Sequence, residues 1–104
     1  MTKDDDMEQS KPVILAVDDR PENLLALETI IDGLDATFVS AESGQVAIEI
    51  ALGRTDIAVV LLDVQMPEMD GFETAEILRL NESTKRIPII FVTAGASDAR
   101  QAFR

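Results

Sequence analysis

The sequence has neither cysteine nor histidine among its 104 residues. Lack of cysteine excludes disulfides, thiolate metal sites and thiol nucleophiles. Lack of histidine removes the usual zinc ligand and the usual general base. Tryptophan and tyrosine are missing as well, and only four phenylalanines are present. Any core must therefore be built from Ile, Val, Leu and Ala. Basic residues are scarce: nine Lys and Arg face 20 Asp and Glu, a formal charge of −11. A surface that negative repels phosphate backbones and anionic lipid, which argues against direct contact with nucleic acid or membrane. No apolar run approaches a membrane span, and Met1 to Ser10 holds no signal-peptide core. A cytoplasmic location is expected.

Hydrophobic residues make up 46% of the chain, enough to fold one domain. Residues 1–11 carry Asp4, Asp5, Asp6 and Glu8 with almost nothing apolar, and read as a flexible acidic tail. The domain is expected over residues 12–104. Val13 to Val17 is a continuous apolar run that suits a strand buried on both faces. Leu24, Leu27, Ile31 and Leu34 then recur at helical spacing, with a stop near Gly33. Thr37 to Ser40 is a second strand. Val46, Ala47, Ile50 and Ala51 mark a second helix, ended by Gly53. Ile57 to Leu62 is the most apolar strand and runs into Asp63. A loop with Met66-Pro67 and Gly71 precedes a helix from about Phe72 to Leu80, and Pro88 to Val92 forms a fourth strand before Thr93. Ser97 and Asp98 look like the N-cap of a further helix.

This β-α alternation predicts an α/β fold: a parallel sheet with right-handed crossovers and helices on both faces. In such sheets ligands sit beyond the carboxyl ends of the strands. Three of the four strands end there in an oxygen-bearing side chain: Asp18-Asp19, Asp63 and Thr93. If the first and third strands are neighbours, their carboxylates crowd together. Crowded carboxylates raise each other's pKa unless a cation neutralises them. Oxygen-only donors suit Mg²⁺, with Mn²⁺ as the alternative. Each aspartate has a plainer reading, because Asp19 or Arg20 followed by Pro21-Glu22 also looks like a helix start. Thr93 alone reads as structural. The combination at one sheet edge is what points to a site.

At these residues the sequence resembles the receiver domain of bacterial two-component response regulators, from about Pro12 to Arg104. The most specific stretch is Val59-Val60-Leu61-Leu62-Asp63-Val64-Gln65-Met66-Pro67-Glu68-Met69-Asp70-Gly71. Val17-Asp18-Asp19 resembles the family's acidic pair. Phe91-Val92-Thr93-Ala94 resembles its fourth strand, with Thr93 standing 30 positions after Asp63. The resemblance implies a flavodoxin-like (CheY-like) doubly wound sheet of order 2-1-3-4-5. It implies a phosphoprotein of a phosphorelay, not an enzyme in the ordinary sense, though one that assists its own phosphorylation and dephosphorylation. Asp63 would accept the phosphoryl group from a histidine kinase or histidine phosphotransfer protein. Asp19 and Asp63 would hold Mg²⁺ directly, Asp18 mainly through water, and the Gln65 main-chain carbonyl would complete the protein ligands. Thr93 would be the switch hydroxyl with the small Ala94 beside it, while Met66, Pro67 and Gly71 would shape the loop.

The family's fifth strand, its terminal lysine, its aromatic switch residue and its fifth helix have no counterpart in these 104 residues. Lys85 precedes the fourth strand and cannot replace that lysine. The domain is accordingly expected to be incomplete at its C-terminus, with an exposed fourth-strand edge open to homodimer formation. Two other readings stay open. One is a receiver-like interaction module without phosphorylation. The other is a haloacid-dehalogenase-type phosphatase, whose Asp-x-Asp pair the adjacent Asp18-Asp19 does not match.

Overall fold

The computed structural model describes residues 11–92, and within them four strands alternate with three helices. Strand β1 (Val13–Val17) leads to helix α1 (Pro21–Ile31), then β2 (Thr37–Ala41), α2 (Gly44–Leu52), β3 (Ile57–Asp63), α3 (Gly71–Leu80) and β4 (Ile89–Val92). The strands form one sheet in the order β2-β1-β3-β4, and every pairing is parallel. All five residues of β1 are buried. The continuous apolar run of the sequence is thus the signature of a central strand covered on both faces.

One face carries the main core. Leu15, Val17, Val60 and Leu62 meet Ala47 and Ala51 of α2 and Ala75 and Leu78 of α3. Ile14 and Ala16, of opposite parity along β1, are buried outside that cluster, as are Leu24 and Ile31 of α1. Strand side chains alternate between faces, so α1 covers the second side.

Local chemistry sets the helix ends. Pro21 occupies the first turn of α1, where its missing N–H costs nothing. The Ser43 hydroxyl accepts the Val46 N–H at 3.1 Å and caps α2, which ends at Gly53. Helix α3 opens with a capping box: the Asp70 carboxylate accepts the Glu73 N–H at 2.8 Å, and the Glu73 carboxylate accepts the Asp70 N–H at 3.0 Å.

Three expectations shift. The helical spacing places Leu34 on the buried face with a stop near Gly33, but the helix stops at Ile31, and Leu34 is 60% exposed. The Leu34 N–H bonds the Ile31 carbonyl at 2.8 Å and turns the chain away before the pattern can continue. Val46, expected on the buried face of α2, is exposed, and the buried line is Gly44, Ala47 and Ala51. Small residues stand there because a Cβ on Gly44 would collide with the Thr74 hydroxyl of α3. Pro88 lies just before β4 rather than in it, although its carbonyl still accepts the Val60 N–H at 2.9 Å. Thr93, Ala94, the helix after Ser97 and all of the acidic tail but Lys11 lie outside the described residues.

Candidate metal centre

Strands β1 and β3 are parallel neighbours with Val17 level with Leu62. Asp18 and Asp63 therefore reach the same sheet edge side by side. One carboxylate oxygen from each of Asp18, Asp19 and Asp63 lies within 4.8 Å of the others. Asp18 is 4% exposed and Asp63 5%, with Asp19 half-buried. This is less open than a carboxylate standing free at a strand end would be. Burial, followed by the charge of Asp18, pushes the Asp63 carboxyl up to about 6. The N–H groups of Gln65 and Val64 draw it down, while Asp19 adds to the rise.

Helix-capping does not account for the aspartate pair. Arg20 is the N-cap of α1 in extended conformation and makes no side-chain capping bond. Asp19 is consequently free of that duty. Asp18 does take the Arg20 N–H, on Oδ1 at 3.0 Å, in a tight turn of the kind aspartate favours. Its Oδ2 accepts the amide of Asn23 at 3.1 Å. Asn23 is a partner that sequence reasoning missed; its place in the first turn after the aspartate pair is the one signal the sequence offers.

The loop between β3 and α3 forms the other wall. A Cβ on Gly71 would fall on the carbonyl oxygen of Asp63, and the Gly71 N–H bonds the Val64 carbonyl at 3.0 Å. Glycine is needed here because α3 starts in contact with the end of β3. Met66 is buried in the core and anchors the loop. Pro67 and Gln65 are exposed. The Met69 N–H closes a three-residue turn on the Pro67 carbonyl at 2.8 Å, with Glu68 at a φ of 69°. Such a turn is rare and strained for a residue other than glycine. A cleft of about 230 Å³ opens between this loop and the start of α2, lined by Ser43, Gly44, Gln45, Pro67, Glu68 and Met69. None of the three aspartates lines it.

The donor set fits a hard divalent cation. It offers carboxylate oxygen only, and no ion pair among the described residues engages any of the three aspartates. Their mutual repulsion is the energy that a bound cation would relieve.

The family model described as response regulator receiver domain matches residues 14–104. The chain is 39% identical over 88 residues to the sensor protein GacS of Pseudomonas syringae pv. syringae, covering 82% of this chain and 10% of that protein. It is 42% identical over 86 residues to a probable cyclic di-GMP phosphodiesterase of Vibrio cholerae, covering 81% of the chain and 19% of the relative. The chain thus spans between a tenth and a fifth of these relatives' length. Among solved structures it resembles the chemotaxis response regulator CheY4 of Vibrio cholerae, with a TM-score of 0.76 and 26% identity over 88% of this chain and 76% of that one. The parallel sheet that brings the aspartates together lies within this shared fold, and the chain belongs to the response regulator receiver domain family.

Proposed function

We propose that Asp63 is the phosphoacceptor of this receiver, taking a phosphoryl group from a phosphohistidine on a histidine kinase or phosphotransfer protein in a Mg²⁺-dependent reaction. The observation that carries this reading is the convergence of Asp18, Asp19 and Asp63 at the carboxyl ends of β1 and β3. An Asp63 carboxylate oxygen attacks phosphorus in line with the P–N bond. That bond breaks with its electron pair on the imidazole nitrogen, and an O–P bond forms to give an acyl phosphate. A carboxylate nucleophile needs no general base, so a chain without histidine can perform the step. Asp19 and Asp63 would hold Mg²⁺ directly, with Asp18 acting mainly through water and the Gln65 main-chain carbonyl as a further ligand. When bound, the cation supplies charge neutralisation for the nucleophile and the transferring group. At about 6 the Asp63 carboxyl is already mostly ionised at neutral pH, as a nucleophile must be.

Gly71, Met66 and Pro67 hold the loop that frames the nucleophile. Thr93 and Ala94 are proposed as switch hydroxyl and its small neighbour. The described residues include no helix long and apolar enough to cross a membrane, and a cytoplasmic, phosphorelay role goes with this reading. Self-pairing through the β4 edge belongs to it as well, supported by Ile90 at 54% and Phe91 at 42% exposure on a strand with one described neighbour.

Treatment of the chain with acetyl phosphate and Mg²⁺ tests the reaction. A stable mass increase of about 80 Da supports a phosphoacceptor. Rapid turnover without an adduct would favour a phosphatase, and no reaction would favour a non-phosphorylated module.

A further inference from the structure

We infer that Asn23 is a positioning residue for the cation site, acting through Asp18. The inference rests on the Mg²⁺ reading of the aspartate cluster and adds to it a residue of the following helix. Asp18 is 4% exposed, so its carboxylate has lost most of its water and depends on protein donors. It has one donor on each oxygen: the Arg20 N–H at 3.0 Å on Oδ1 and the Asn23 amide at 3.1 Å on Oδ2. Two donors on opposite oxygens fix the plane of a carboxylate as well as its position. The first is main chain and comes with the turn. The second is supplied by a side chain and depends on residue type.

Asn23 itself is held. Its N–H bonds the Arg20 carbonyl at 3.0 Å, which places it in the first turn of α1 with the amide directed at the strand end. An amide is well suited to the task. It donates to an anion without contributing a charge that would compete with a cation, as lysine or arginine would. It also spreads part of Asp18's charge, so the three carboxylates can stand with ligand oxygens within 4.8 Å of one another before the cation arrives. Partners of this kind, which orient a ligand group without touching the metal, commonly alter affinity by about 10–100-fold.

The expected consequence is a selective one. Asn23→Ala should raise the Mg²⁺ concentration needed for half-maximal phosphorylation by acetyl phosphate about tenfold. The maximal rate at saturating Mg²⁺ should stay within about twofold, because Asp63, the nucleophile, is untouched; the tenfold rise should recur when Mg²⁺ binding is measured by calorimetry without a phosphodonor. Thr29→Ala serves as the control on the same helix, since Thr29 is exposed and its hydroxyl bonds the Leu25 carbonyl at 3.0 Å rather than any of the three aspartates; it should leave both values unchanged. An unaltered Mg²⁺ requirement in Asn23→Ala, or an equal rise in Thr29→Ala, would overturn the positioning role while leaving the metal site standing. Failure of the unsubstituted protein to bind Mg²⁺ would overturn the site and this inference together.

Discussion

Gly71 rests against the main chain of Asp63: the space a Cβ would take on the first residue of α3 is already filled by the Asp63 carbonyl oxygen. The Val64 Cα lies 2.8 Å from the same point. Main chain cannot step aside as a flexible side chain can. Gly71→Ala should therefore destabilise the fold by roughly 3 kcal/mol, the upper part of the usual range for overpacking. The shift in the urea midpoint measures it. A loss below about 0.5 kcal/mol would show that the loop moves freely, as a surface substitution does.

Asp63→Asn should abolish the adduct of about 80 Da formed with acetyl phosphate. The replacement is nearly isosteric, so the fold should be retained. Mass spectrometry of the two proteins after identical treatment decides it, and an adduct surviving in the variant would remove Asp63 from its role.

The same substitution bears on pH. The Asp63 carboxyl is raised from 3.8 to about 6 in the fold, first by burial and then by Asp18. A group raised in this way contributes stability that is fully present below its unfolded value and lost as pH rises through the folded one. Without divalent cation, the protein should lose about 2 kcal/mol of this contribution between pH 4 and pH 7.5. Asp63→Asn should flatten that part of the profile and melt higher than the parent at pH 7.5 in a chelator. Parallel profiles for the two proteins would contradict the assignment.

Mg²⁺ should reverse that loss. At a hundredfold excess over its dissociation constant the gain is about 2.7 kcal/mol. Asp19→Ala should remove most of the Mg²⁺-dependent rise in melting temperature. A full rise in the variant would place the cation elsewhere.

The β4 edge should mediate self-association of the chain. Ile90→Lys, which sets a charge on the exposed edge, should lower the association state seen by sedimentation at micromolar concentration. A cooperative, fully folded monomer in the unsubstituted chain would dismiss this pairing.

Much of the site is legible in the chain because it depends on connectivity. Apolar runs that end in Asp18-Asp19 and Asp63 must deliver those residues to one edge once the strands are parallel. The exact reach of side chains from helices is another matter. Asn23 meets Asp18 only because of how α1 enters after the turn at Arg20, an angle that no periodicity encodes. Leu34 continues a helical pattern past the point where the main chain has turned. Val46 looks like a core residue by type, yet the close approach of α2 to α3 at Gly44 and Thr74 leaves room on that face for small residues alone. Packing distance between elements is a property of pairs, and a single segment does not carry it.

The capping box at the start of α3 also sorts charge. Between Asp63 and Glu73 four acidic side chains occupy eleven positions, Asp63, Glu68, Asp70 and Glu73. Asp70 and Glu73 face the N–H groups of the helix's first turn, each carboxylate answered by a donor and by the positive end of the helix dipole. Their charge is largely balanced where it stands. What remains on this side is the buried Asp63, joined by the pair from β1, and Glu68 exposed on the loop. The buried part of the segment's acidity is therefore gathered beside the strand ends rather than spread along the loop.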